Sequence, residues 1–326
     1  MKPTILVQSI RNNLVEREHA GFIICMDLNK NIIFQKGNPE NYKCFLRSCA
    51  KPFQALPIIL SDTYNHYGLT KSELAACCAS HTGSKTHTET VEGILNKTGL
   101  TKYALMCGIH EPLDKKTKLN LLKNNLPATE LHNNCSGKHA GMLAVCKKQG
   151  WDIENYIETN HPLQKWIKEI TKNYCNINNE QYYETLDGCG TPVGGMTLEK
   201  MTEGFLNLLK TKEGKIIIDA FINNPILIGG EDRIDSLIIK ESYSNLMAKV
   251  GAEGLCIVLN KKLKQCLLVK IMDSNMQARS IALLETLKQL NWLNKEIFTK
   301  TEIKNIHNPE LTTLQGYKTG EIKAVF

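Results

Sequence analysis

The chain has 326 residues and a mass of 36.7 kDa, long enough to bury a core without relying on disulfides or a structural metal. At 42% hydrophobic and 22% charged residues, with no run of about 18 apolar residues, the composition is that of a globular protein and excludes a membrane-spanning helix. The net charge of +7 raises the question of nucleic acid, but only five of the forty basic residues are Arg and the lysines scatter through Asn-rich stretches such as 173–179. No stripe of Arg and aromatic residues forms, so a solvated basic surface is expected, with neither nucleic acid nor membrane as partner.

Residues 1–13 lack the apolar centre of a secretory signal, and cytoplasmic residence is the expectation. The chain then reads as strands over 4–10, 19–27 and 31–36, the last two joined by a turn at 28–30. From there the period changes to three and four, predicting helices over 51–60, 71–79, 86–95, 138–149, 162–174, 198–209 and 215–223, while 114–125 is polar and Lys-rich and suits an exposed loop or helix. Near the end the two-residue period returns over 254–259 and 265–272, followed by a helix over 275–290. No repeat or linker divides the chain, so a single domain, 1–326, is expected. Strands at both ends around a helical middle predict an α+β domain, with one antiparallel sheet built from both chain ends and helices on its faces.

Four segments carry chemistry. Arg47-Ser48-Cys49-Ala50-Lys51-Pro52 is an S-x-x-K at a helix start, where residues three apart share a face. A Lys51 amine kept neutral by burial and by a neighbouring cation is a base for the Ser48 hydroxyl, although one S-x-x-K arises roughly by chance in a chain this rich in Lys. Cys77 to Ser84 runs from a small-residue helix into hydroxyls, Ser80 among them, at a turn whose free N–H groups suit an anion or a second serine; a plain helix stop at Gly83 reads equally well.

Cys135-Ser136-Gly137-Lys138-His139 and Asp187-Gly188-Cys189-Gly190-Thr191-Pro192 offer two thiols, a carboxylate and an amine or imidazole that suit zinc. Neither has a zinc-finger spacing, so two buried thiols beside glycine turns remain the plainer reading. The twelve Cys contain no C-x-x-C pair, and most are expected to be buried, reduced thiols. Lys249 to Gly254 leads into the last strand pair, whose second member ends at Lys270; a lysine late on a strand either faces a cleft or guards a sheet edge.

Taken in order, R-S-C-A-K-P at 47–52, C-A-S-H-T-G at 78–83, C-S-G-K-H at 135–139, D-G-C-G-T-P at 187–192, N-P-x-x-I-x-G-x-x-R-x-D at 224–235 and K-V-G-A-E-G at 249–254 resemble the asparaginase family typified by the inducible, thermolabile Rhizobium enzyme, over essentially the whole chain. The resemblance implies a fold like the serine β-lactamases and penicillin-binding proteins, a homodimer, and hydrolysis of the side-chain amide of L-asparagine. It implies two Ser-Lys pairs, Ser48 with Lys51 and Ser80 with Lys270, Ser48 being the nucleophile. It further implies a Zn2+ held by Cys135, Lys138 and Cys189 with Asp187 nearby, in a positioning role.

Arg47, His139 and Asp187 are candidates for holding the substrate. Ser84 and Ser274 stand where the family pattern has Glu and Gly, and the first bears on how the substrate amine is held. A glutaminase differs by one methylene in substrate and is the nearest rival; no K-T-G or S-D-N follows to suggest a β-lactamase. A catalytically silent amino-acid or metal sensor on the same fold is the rival from outside enzymes.

Overall fold

Asn12 and Asn13, both with positive φ, turn the chain from β1 (Thr4–Arg11) into β2 (Leu14–Asp27), the left-handed pair that a two-residue hairpin requires. The next turn is closed by the Asp27 carboxylate, which accepts the N–H groups of Asn29 and Asn31 at 2.8 and 2.9 Å before β3 (Ile32–Lys36) begins. The computed structural model describes every residue, Met1–Phe326.

Two antiparallel sheets result. The small one joins β4 (Lys43–Phe45), β5 (Tyr183–Leu186) and β6 (Pro192–Thr197) in the order β4-β6-β5. The large one takes in β7 (Leu246–Val250), β8 (Leu255–Asn260), β9 (Gln265–Ile271), β10 (Glu310–Thr312) and β11 (Lys318–Ala324) and runs β10-β11-β1-β2-β9-β8-β7, with β3 also on β2. This is the mixed α+β architecture with the sheet from both chain ends that the periodicity predicts.

Helices Leu198–Leu208 and Met276–Gln289 both pack on β9, and β9 is buried at every residue from Cys266 to Ile271. Covered on both faces, β8 and β9 read as continuous apolar runs, each fully buried Leu, Ile or Val being worth about 1.5–3 kcal/mol. The buried side chains of both sheets and the helices form one continuous cluster.

The helices over 51–60, 71–79, 86–95, 138–149, 162–174, 198–209, 215–223 and 275–290 all exist, with ends shifted by a few residues. The segment 114–125 is a helix, Lys115–Lys123, with no buried residue. Periodicity does not show β7, whose Leu-Met-Ala-Lys-Val is buried at all five positions, nor β10 and β11, which are polar and mostly exposed or half-buried.

Two helices set the positions that matter below. Lys71–Cys77 is held at its start by Thr70, whose hydroxyl accepts the Glu73 N–H at 3.2 Å while the Glu73 carboxylate accepts the Thr70 N–H at 2.6 Å, a reciprocal cap. Ser136–Gln149 packs against it so closely that a Cβ on Gly137 would stand 2.2 Å from the Ala76 carbonyl oxygen. Gly137→Ala is therefore expected to cost about 1–3 kcal/mol, read as a lower urea midpoint with unchanged slope. An unchanged midpoint would mean that the two helices are not in this contact.

Candidate active site

Ser48 lies in a 3-10 turn, Arg47–Ala50, between β4 and the helix Lys51–Leu60. Arg47 enters that turn in the left-handed region, φ 49°, a conformation costly for a side chain with a Cβ and held only where surroundings enforce it. Here its guanidinium donates from Nε to Asp187 Oδ1 at 2.8 Å and from Nη1 to Glu253 Oε1 at 3.4 Å. Ser48 is half-buried and opens onto a cavity of about 240 Å³ that it lines together with Arg47, His110, Asn134, Cys135, Asp187 and Cys189.

Behind that wall lies a chain of buried polar groups. Lys51, first residue of its helix, is almost fully buried, and its Nζ donates to Ser80 Oγ at 3.0 Å, to the Asn134 carbonyl at 3.1 Å and to the Ala79 carbonyl. Lys249 on β7 is completely buried and donates to the same Ser80 Oγ at 2.8 Å and to the Val250 carbonyl at 2.7 Å. Ser80 thus sits between two amines, and the Ser48 hydroxyl makes no hydrogen bond to Lys51 in this arrangement. The buried Asp235 carboxylate stands 4.0 Å from Lys249 Nζ. Burial pushes the Lys249 amine down to about 8, against the upward pull of Asp235 and with the help of the Lys51 charge.

The lysine paired with Ser80 is therefore Lys249, and Lys270 is not in this chain. Lys270 lies on β9, opposite Leu255 of β8, which in turn separates it from β7. Strands are about 4.8 Å apart, so two strand spacings put it roughly 10 Å from the Lys249 strand. Its Nζ donates to the carbonyls of Glu253 and Ile271 instead. The signal for Lys249 was in the sequence: a lysine inside the unbroken apolar run Leu246 to Val250 has to find a buried partner. Alternation, which points to lysines late on strands, could not single it out on a strand buried on both faces.

The second group is Cys135, Lys138 and Cys189, all buried. Lys138 Nζ donates to Cys189 Sγ at 2.9 Å and to Thr191 Oγ1 at 2.5 Å. The Cys189 thiol is held far below its usual range, chiefly by a hydrogen bond from Cys135, then by the Lys138 charge and by His139. Cys135 moves the opposite way, well above its usual range, because it keeps the proton that it shares with Cys189 and is buried. Two thiols and a lysine amine brought together could hold a soft metal, which would displace their protons. No three side chains drawn from His, Cys, Asp and Glu converge on one point, so a metal here would have to take Lys138 as its third donor. Asp187 makes no hydrogen bond to the trio: its Oδ1 accepts from Arg47 and from the Gly188 N–H at 3.0 Å, although its charge acts on Lys138.

His139 does not reach the cavity. Its helix is buried from Ser136 to Cys146, and the ring meets the Tyr156 hydroxyl through Nδ1 at 2.6 Å while Nε2 has no hydrogen-bond partner. Burial lowers the ring to about 4, which leaves no imidazolium to hold a substrate carboxylate. The cavity's histidine is His110, whose Nε2 accepts the Asn134 N–H at 2.9 Å. His110 stands between Ile109 and Glu111 in the sequence, with no spacing to mark it.

Among solved structures the chain is similar to a β-lactamase from Mycobacterium bovis, at 12% identity over 84% of this chain and 95% of that one with a TM-score of 0.42. It is also similar to a mutant simvastatin synthase from Aspergillus terreus, at 10% identity over 82% and 93% with a TM-score of 0.42. A search of curated proteins returned no match. Residues 7–324 match the family described as L-asparaginase II, and that span includes the Ser48 turn, the buried Lys51–Ser80–Lys249 chain and the Cys135–Lys138–Cys189 trio; the chain belongs to the L-asparaginase II family, and its chemistry is that of an amidohydrolase.

Proposed function

We propose that the protein hydrolyses the side-chain amide of L-asparagine to L-aspartate and ammonia, with Ser48 as nucleophile. The observation that carries this reading is a serine hydroxyl opening onto a polar cavity, with a buried Lys-Ser-Lys chain directly behind it. Ser48 Oγ attacks the amide carbon and its proton passes to Lys51; the C–N bond breaks as the leaving nitrogen takes a proton from the relay, and ammonia departs. Ser80 lets Lys51 and Lys249 exchange that proton through one oxygen. Water then attacks the Ser48 ester, its hydroxyl staying on the acyl carbon while its proton returns to Ser48 Oγ, and aspartate leaves. Arg47 faces the substrate carboxylate and Asp187 its ammonium, the two held at fixed separation by their own 2.8 Å contact.

The first test is ammonia release from L-asparagine and L-glutamine in parallel. Release from asparagine at much the lower concentration is expected; a preference for glutamine would make the protein a glutaminase. One methylene is worth only about 10- to 200-fold, so both substrates need a wide concentration range. Tight asparagine binding without turnover would make it a sensor, which the retention of Ser48, Lys51 and Ser80 opposes.

We also propose zinc as its cofactor, held by Cys135, Lys138 and Cys189. When bound, it supplies a fixed positive charge at the cavity wall that orients the substrate, the nucleophile and base being protein groups already. About one zinc per chain is expected in protein purified without chelator, falling as pH drops because all three ligands must lose their protons. Metal-free protein by elemental analysis would remove zinc from this account.

No helix is long and apolar enough to cross a membrane, and we propose a cytoplasmic homodimer acting on a small molecule. Leu119 and Leu122 on the unburied helix Lys115–Lys123, with Ile109 and Leu113 just before it, are exposed and supply apolar area for a second copy. Light scattering is expected to give twice the mass of the chain.

A further inference from the structure

Lys270 is the one lysine marked by the sequence that the proposed reaction does not use, and its surroundings are those of a binding site. It lines a second cavity, of about 330 Å³, separated from the Ser48 cavity by Arg47 and Ala252, which belong to both walls. The side chain is 4% exposed, and two of its three N–H bonds go to the Glu253 and Ile271 carbonyls, leaving the third for a ligand. Burial lowers the amine from its usual range, against the upward pull of Cys44, Glu253 and Asp273, and no carboxylate is hydrogen-bonded to it.

Beside the Tyr42 ring, which also lines this cavity, the charged groups are already engaged. Glu253 accepts from Ser274 Oγ at 2.6 Å and from Arg47, and Lys43 at the rim donates to the Tyr183 hydroxyl at 2.5 Å. The remaining wall is apolar, with Phe45, Leu255 and Met272. Over Phe45 it adjoins a smaller hollow of about 200 Å³, which shares Lys43, Cys44 and Phe45 and is closed by Tyr183 and Gly195. One buried cation at the floor and an apolar, aromatic-walled extension define a ligand with a single carboxylate and a flat apolar body.

We propose that this cavity is a binding site for a small aromatic monocarboxylate, its carboxylate on Lys270 and its ring against Phe45 and Tyr183, separate from the Ser48 cavity. The site does not depend on the amidase reading, and its test is a binding measurement that stands whether or not asparagine is hydrolysed.

The probe is 3-phenylpropionate, titrated calorimetrically into the full chain, with 3-phenylpropionamide as the uncharged control. Wild type and Ser48→Ala are expected to bind the acid equally, and the amide not to bind. Lys270→Met is expected to weaken the acid by about tenfold or more through loss of the charge-assisted hydrogen bond. Met272→Trp, which fills the cavity from its rim and leaves Lys270 in place, is expected to weaken it similarly, so the result does not hang on one variant's folding. The proposal is overturned if wild type shows no heat up to millimolar acid, or if folded Lys270→Met binds as wild type does. It is also overturned if L-aspartate displaces the acid competitively, which would place the acid in the Ser48 cavity.

Discussion

Ser48→Ala is expected to lower kcat/KM for asparagine by about three to six orders of magnitude, the range for removing a nucleophile whose partners act as a unit. Ser80→Ala is expected to cost less, about 10²- to 10⁴-fold, the range for a positioned acid-base group. The comparison matters because the two lysines converge on Ser80, whereas Ser48 has the cavity. Ser80 is 4% exposed and does not line the cavity, so a substrate carbon cannot reach it without displacing the wall. Ser48 is open to substrate and lacks only a hydrogen bond to Lys51, a contact that in catalytic sites often tightens when substrate arrives. If Ser80→Ala proved the more damaging and Ser48→Ala kept activity within a few fold, the roles would have to be exchanged.

Lys249→Met is expected to lower kcat/KM by about 10²- to 10⁴-fold and to remove an acid limb from the pH profile. The sign follows from the direction of the shift. Burial holds the Lys249 amine at about 8 instead of 10.5, so it is neutral above that value and charged below it. Once charged, Lys249 cannot take a proton through Ser80, and kcat/KM should rise through about pH 8. The same shift makes the fold gain stability as pH climbs from about 8 towards 10.5, because over that window the unfolded chain still binds the proton that the folded one has released. Loss of activity in Lys249→Met with the acid limb unmoved would mean that another group sets the limb.

Most of the scaffold and half of the site were legible in the sequence. The hairpin turn at 28–30 and the three-and-four spacing in seven segments are local signals, decided by a few neighbouring residues. Six motifs in order carried the family and with it Ser48, Lys51, Ser80 and the Cys135–Lys138–Cys189 trio, because glycines such as Gly137 are demanded by close packing that leaves no room for a Cβ. Asp187 was marked for two tasks, and the structure gives it to Arg47.

What only the tertiary structure decided was which lysine meets Ser80. Lys249 and Lys270 are both late on apolar strands, and no periodicity separates them; strand order does, because β7 packs on the Arg47–Ala50 turn and the helices Lys212–Asn223 and Ile234–Glu241, while β8 stands between it and β9. His139 was lost from the site for a similar reason, as a helix buried on every side from Ser136 to Cys146 offers no face that spacing can assign to the cavity. Local chemistry chose the residue types and the turns. Long-range strand order, which joins residues far apart in the chain and leaves no local trace, chose which of them touch.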